Sequence, residues 1–328
     1  MKQINLKSVQ VGPHSAVFFP FYYWLFAILL LAVFPNKSFG QGYIEGANIS
    51  YEFLPLKIKT PQGDQNFTGH NFKAGTSVPI FLAPDKSKYL LVGGNVEVFD
   101  FEGIHPDFPV DRVFSISPTL GYSMMINKKF NLTALFIPTL NGDYENIKGS
   151  DIKFGGVLRG SWKSSETLTW KATLGYRQQF YGPLYIVLLG VDWKANDKWR
   201  IFGDLPHNVT VNYAVNEKVN TGFNLFVQNS TYRLDYQNRY FEYNSVNPGL
   251  FAEYYVAPNW ALRATASYSL IRDMEVYNKG DKAEFIDFYE MGNRVDPINP
   301  EIESGLAFKI GLSYRIVPGK KNSNHLSE

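Results

Sequence analysis

Near the end of the chain, Leu306, Phe308, Ile310, Leu312, Tyr314 and Ile316 alternate with Ala307, Lys309, Gly311, Ser313 and Arg315. A period of two puts one set on each face of a β-strand, whereas a helix would scatter both sets around its axis. The pattern recurs along the chain. Ala47, Ile49, Tyr51 and Phe53 alternate with Asn48, Ser50 and Glu52. Phe114, Ile116, Pro118, Leu120, Tyr122 and Met124 alternate with serines, Thr119 and Gly121. Leu90 to Val98 and Val209 to Val215 read the same way, with Leu91 as the one apolar residue in the polar register of its run.

The connections alternate too. Short ones fall at 85–87, 127–129, 164–166, 195–197, 216–218 and 257–259, and longer ones at 57–69, 101–112, 141–150, 179–183, 231–245 and 277–303. Short turns on one rim and long loops on the other predict an all-β transmembrane antiparallel β-barrel, with periplasmic turns and extracellular loops. Taking 199–215 as one strand gives an odd count and puts two short turns on opposite rims. Splitting it at Gly203-Asp204-Leu205-Pro206 gives fourteen strands, with twelve as the alternative. Pro118 lies inside a run and predicts a bulge or local break, because a closed barrel has no free edge to hold a residue without an N–H.

Tryptophan supports this reading. Trp162 and Trp170 flank one short turn, Trp193 and Trp199 flank another, and Trp260 follows a third, each on the apolar register of its strand. An apolar ring system with one N–H donor favours the boundary between hydrocarbon and water, so these five are candidate membrane-interface residues.

Residues 1–40 read as a cleaved signal peptide: basic Lys2 and Lys7, an apolar run from Ala16 to Phe34, and Ser38 and Gly40 as a small-x-small site before Gln41. Residues 41–316 then form the barrel, and 317–328 a polar tail. Cleavage takes Lys2, Lys7 and Lys37 from the 32 basic residues and nothing from the 30 acidic ones, leaving a net charge of −1. That excludes the basic excess of a nucleic-acid binder. No cysteine is present, hence no disulfide, thiolate metal site or lipoprotein anchor. No later stretch approaches the roughly 18 consecutive apolar residues of a membrane helix.

If the apolar register faces lipid, the opposite register lines the lumen. It carries Glu52, Lys73, Glu97, Lys153, Arg159, Lys171, Arg177, Asp192, Glu253, Arg263 and Lys309, among many Asn, Ser, Thr and Gly. Buried charges without water or partners are very costly, so the lumen is either wet, with a mild anion preference, or laced with ion pairs as a plug. Ile186, Leu188, Phe226 and Phe251 on the same register hint at an apolar patch. The Tyr-rich and Arg-containing stretch 231–245 predicts a strand carried past the membrane with a tyrosine belt, or less favourably a stacking surface. The acidic loop 277–303 has no calcium-loop spacing and predicts a solvated lid. No His-x-x-x-His pair appears, no Ser and His are held together, and Glu102 and His105 have the i, i+3 spacing that could converge only on a helix. Glu102 and His105 sit beside Gly103 and Pro106 in a loop, so neither an enzyme, a metal site nor a cofactor is expected.

Gly190-Val191-Asp192-Trp193 before a turn, the Phe202-Gly203-Asp204-Leu205-Pro206 kink and the Gly311-Leu312-Ser313-Tyr314-Arg315 end accompany the signal peptide and alternating strands. Together they resemble the Gram-negative outer-membrane β-barrel proteins of unknown function, over nearly all of the mature chain. The resemblance implies the cell outer membrane as location, and outer-membrane lipid and the barrel-assembly machinery as partners. It brings no catalytic residues. Such barrels often end on an aromatic residue in the last strand, whereas here twelve residues follow Ile316. The expected function is a diffusion channel or carrier for small solutes. The alternative is a non-conducting barrel with a structural, adhesion or secretion-assembly role through its extracellular loops.

Overall fold

The computed structural model describes residues 44–316 apart from 62, 104–107, 236–237, 288 and 293. The expected leader, its cleavage near Gly40, His105 and the tail at 317–328 lie outside the described residues. The wall begins with β1 (Ile44–Ile58), β2 (Gln65–Phe81), β3 (Lys88–Glu102), β4 (Arg112–Asn127), β5 (Phe130–Gly142), β6 (Ile152–Lys163) and β7 (Leu168–Gln178). It continues through β8 (Pro183–Lys194), β9 (Trp199–Leu205), β10 (Asn208–Ala214), β11 (Val219–Leu234), β12 (Arg239–Ala257), β13 (Trp260–Tyr268) and β14 (Ile271–Asn278). A small hairpin, β15 (Glu284–Ile286) and β16 (Tyr289–Met291), precedes the last wall strand, β17 (Leu306–Ile316). Wall strands pair antiparallel with their neighbours, and β17 closes the ring against β13 and β1. β13 and β14 are two halves of one stave, pairing with the lower and upper parts of β12. The barrel is therefore closed and fourteen-stranded, as the split of 199–215 predicts.

The sequence explains the local breaks. Pro118 on β4 lies opposite Pro138 on β5, and their ladder lapses between Ile116↔Leu140 and Leu120↔Phe136 without losing register. Neither proline has an N–H to give, so the expected break is present and no bulge is needed. Pro248 marks the level where β12 changes partner from β13 to β14. At three short turns an asparagine accepts two backbone N–H bonds: Asn127 from Lys129 and Phe130, Asn196 from Lys198 and Trp199, Asn216 from Lys218 and Val219. This side-chain mimic of a turn fixes the tight end of each hairpin. Gly203 takes a φ of +130°, and a Cβ there would collide with the Asn208 carbonyl across the β9–β10 turn.

The apolar register is exposed around the barrel, with Leu189 at 71% and Leu250 at 70%, and it includes Leu158, Leu174, Phe136 and Ile310. Trp162, Trp170, Trp199 and Trp260 are exposed at the short-turn end and Trp193 is half-buried there. Trp199 meets Tyr213 and Trp260 meets Tyr314 in tilted ring contacts at 4.8 and 5.2 Å, which gives an aromatic belt.

At the other end the barrel does not stay open. The upper halves of β11, β12 and β14 form a three-stranded tongue whose tip crosses to the opposite wall. There Arg233 pairs with Gly142 of β5, and the Asn141 amide donates to the Thr231 carbonyl. One face of the tongue, with Tyr232, Leu234, Phe241, Tyr243, Met274 and Val276, packs into a core with Leu54, Leu56, Phe67, Phe99, Phe101 and Phe108. The expectation of an interfacial tyrosine belt at 231–245 is therefore corrected: Tyr232, Tyr240 and Tyr243 are at most 1% exposed. They are the apolar filling of the mouth, because the strands bend inward rather than stand upright. The loop expected as a solvated lid is a strap. It carries β15–β16, lays Asn299 along the edge of β14, and bridges Ile302 to Ile58 before entering β17.

Candidate functional site

The inward register forms three charged groups. In the first, Lys73 on β2 pairs with Glu97 on β3 at 3.1 Å and donates to Gln228 of β11 at 2.9 Å, while Gln228 donates to Glu97 at 3.2 Å. Phe226 of β11 lies beneath both Lys73 and Lys309, at 5.7 and 5.6 Å. Glu52 is the register partner of Lys309. These contacts join β11 to β2, β3 and β17 directly across the lumen and pinch it. In the second group, Glu253 is bound by Arg263 at 2.8 Å, by Arg315 at 2.7 and 2.5 Å, and by Asn220 at 3.0 Å. Phe251, one of the inward apolar residues, lies under the Arg263 guanidinium at 4.1 Å. Removing Glu253 would strand two arginines in a buried site.

The third group differs. Lys153 and Arg159 on β6 and Lys171 and Arg177 on β7 stand in one column on adjacent strands, since Arg159 pairs with Thr173, Ser161 with Lys171, and Gly155 with Arg177. Between Lys153 and the level of Lys171 the column spans roughly 25 Å of strand. Arg159 holds Asp204 of β9 at 2.8 Å and Thr173 at 2.9 Å. Lys153 lies 4.3 Å from the Phe180 ring, and Arg177 donates to the Asn229 carbonyl at 3.4 Å. Among the described residues no carboxylate lies within 4 Å of Lys153, Lys171 or Arg177. Asp192, one strand further, is neutralised by Arg200 at 2.8 and 2.5 Å. Ile186 belongs to the apolar cluster of Phe180, Tyr181, Leu184, Tyr240, Tyr277 and Phe285 at the mouth, and Leu188 is buried.

Above the column the exits are covered. The Gln179–Tyr181 segment of the β7–β8 turn hangs on the tongue. Thr231 donates to Gln179 at 2.7 Å, the Phe180 N–H donates to Thr231 at 3.0 Å, and Tyr181 donates to Asn229 at 2.9 Å. The strap is pinned by Arg294, which donates to Glu242 at 2.6 Å and Glu290 at 2.9 Å and lies 3.8 Å from the Tyr277 ring. Burial pushes the Glu242 carboxyl up in spite of that cation. Burial, then repulsion from Asp273, pushes Glu275 up to about 7. Both lie beyond the lipid-facing band, whose last exposed apolar residue on β12 is Leu250.

Sequence reasoning missed Arg200, Asp204, Gln228, Arg294 and Arg315. Arg315 and Gln228 sit on inward registers and were legible as lumen residues. Asp204 reads as a turn residue, and Arg294 reads as one charge among many in a loop.

A closed, membrane-type β-barrel with a charged, partly filled interior is the class that this fold and lining define. The family model "Domain of unknown function (DUF6268)" matches residues 85–315, and the chain belongs to that family. Comparison with curated proteins finds no match. Among solved structures, an outer membrane channel from Pseudomonas putida F1 aligns at 9% identity over 87% of this chain and 100% of its own, with a TM-score of 0.43. The NanC porin aligns at 8% identity over 83% and 100%, with a TM-score of 0.36. A mutant of the TodX monoaromatic hydrocarbon channel aligns at 10% identity over 84% and 90%, with a TM-score of 0.38.

Proposed function

We propose that this protein is a diffusion channel of the Gram-negative outer membrane for small anionic solutes, delivered there by a cleaved leader and the barrel-assembly machinery. The observation that carries the reading is the β6–β7 column, in which Lys153, Lys171 and Arg177 have no carboxylate within 4 Å among the described residues while the acids nearby are already matched. A structural plug gains nothing from unmatched cations in a low-dielectric interior, whereas a passage for anions uses them as stepping sites. Apart from the column, the lumen is pinched by Phe226 and Gln228, so solute would track the β4–β9 side.

The filled mouth favours a second reading, a non-conducting barrel that acts through its loops. Single-channel recording of the refolded mature chain in a planar bilayer separates the two. The channel reading expects discrete steps with anions preferred over cations, and Lys171→Glu lowers or reverses that preference. A folded, heat-modifiable barrel that passes no current supports the loop reading instead.

A further inference from the structure

The wall has a gap. β9 pairs with β8 only from Leu189 to Lys194, and β10 pairs with β11 only as far as Asn208↔Phe226. β8 nevertheless continues to Pro183, and β11 continues to Leu234 and bends into the mouth. Above the β9–β10 turn two strand edges are therefore left with no stave between them, over roughly 15–20 Å on the β8 side. On the β11 side the gap begins above Phe226, the partner of Asn247, and so beyond Leu250 and the lipid-facing band; it opens toward water, where a bare strand edge still invites unwanted pairing unless it is covered.

The β15–β16 hairpin does. Phe285 and Ile286 pair in parallel with Leu184 and Tyr185. The Asp287 N–H donates to the Tyr185 carbonyl, and the Asp287 carboxylate accepts from the Val187 N–H at 3.2 Å and lies 3.4 Å from His207 in the β9–β10 turn. Exposed Ile286 and Tyr289 continue the apolar surface of Tyr185 and Val187 across the gap.

This cover has far fewer backbone pairs than the tongue. β11 is paired with β12 from Val219 to Leu234, and the tongue is bedded in the main apolar core. β15 has two backbone pairs to β8, with the Ala283 N–H bonded to the Tyr181 carbonyl, Phe285 buried against Tyr181, the Asp287 clamp and the Arg294 pin. Segments with few backbone pairs open at the lowest cost. The basic column also ends behind this cover. Arg177 is level with Leu184, and Asp204, which holds Arg159, pairs with Asn208 across the β9–β10 turn.

We propose that β15–β16 is a side door: anions enter or leave the column through the gap above β9–β10 when the hairpin lifts from β8, and the tongue stays in place. This rests on the channel reading and adds the route and the gate to it.

The cysteine-free chain permits a direct test. Tyr185→Cys with Ile286→Cys are register partners, close enough for a disulfide that locks the door. Arg233→Cys with Gly142→Cys would lock the tongue to β5 instead. Each folded pair is recorded in a planar bilayer with chloride as the probe anion, oxidised and then reduced. The door pair is expected to lose its steps when oxidised and regain them on reduction, while the tongue pair conducts in both states. Replacing residues 284–291 by a short Gly-Ser linker is expected to raise the open fraction of the barrel. Conduction through the door-locked barrel, or its loss only in the tongue-locked one, overturns the door and leaves the channel reading standing. A wild-type barrel that never conducts overturns both.

Discussion

At the scale of single residues, the chemistry of this barrel is decided by which charges find partners. Glu253 is clamped by two arginines, Lys73 and Glu97 hold each other, and Arg294 is all but fully buried against a fully buried Glu242. Such pairs contribute little over an apolar filling but are expensive to break. Arg294→Gln should therefore loosen the strap by about 3–5 kcal/mol of local stability, less whatever Glu242 recovers by taking up a proton. Limited proteolysis checks this: cleavage within 279–303 should speed up in the variant while the barrel itself stays intact. Unchanged cleavage would mean that β15–β16 is held by its backbone pairs and Phe285 alone.

At the scale of elements, the tongue is the unusual feature. Three ordinary barrel strands run past the lipid-facing band and, instead of standing in solvent, fold inward so that both faces are covered. Phe241 is completely buried and meets Phe101, Phe108 and Tyr232 at about 5.9 Å. Phe241→Ala should cost about 3–5 kcal/mol locally and be visible as faster hydrogen exchange in β12 and β14. The tongue also carries a pH dependence. Because burial and Asp273 raise Glu275 to about 7, the folded tongue holds a proton that the unfolded chain releases near its ordinary value of 4.5. The stabilisation is fully present below that value and is lost as pH rises through about 7. Protection factors of the β14 amides should accordingly fall between pH 5 and pH 8, and Glu275→Gln should flatten the curve. An unchanged slope in that variant would assign the effect to another group.

At the scale of the whole molecule, the closed sheet leaves, among the described residues, no free wall edge except above the short β9–β10 hairpin. Membrane stability comes from the outward register. Leu174, 59% exposed and register partner of Leu158, lies well inside the lipid-facing band. Leu174→Arg should cost up to about 2–4 kcal/mol of folding free energy in vesicles, whereas a change of similar size on the inner face should cost less. Denaturant titration of refolded barrels measures the difference. Equal costs on both faces would sink the assigned register.

The alternating registers, the Asn-containing turns, the turn-side tryptophans and the split at Gly203 to Pro206 were legible in the sequence because each depends on a residue and its near neighbours. Strand period, tight-turn geometry and interfacial preference are local physics, and together they determine a fourteen-stranded barrel and the inward side of Lys153, Arg159, Lys171 and Arg177. Only the tertiary structure decided which of the charges meet. Lys73 reaches Gln228 and Arg294 reaches Glu242 across 155 and 52 residues, and nothing in either segment encodes the other. The inward fold of the tongue was hidden for the same reason. Tyr232 and Tyr243 alternate with polar residues as they would in an upright strand, and the apolar face that draws them inward is assembled by β1 to β4, far away in sequence, while Tyr240 on the other face meets Phe180, Tyr181 and Phe285.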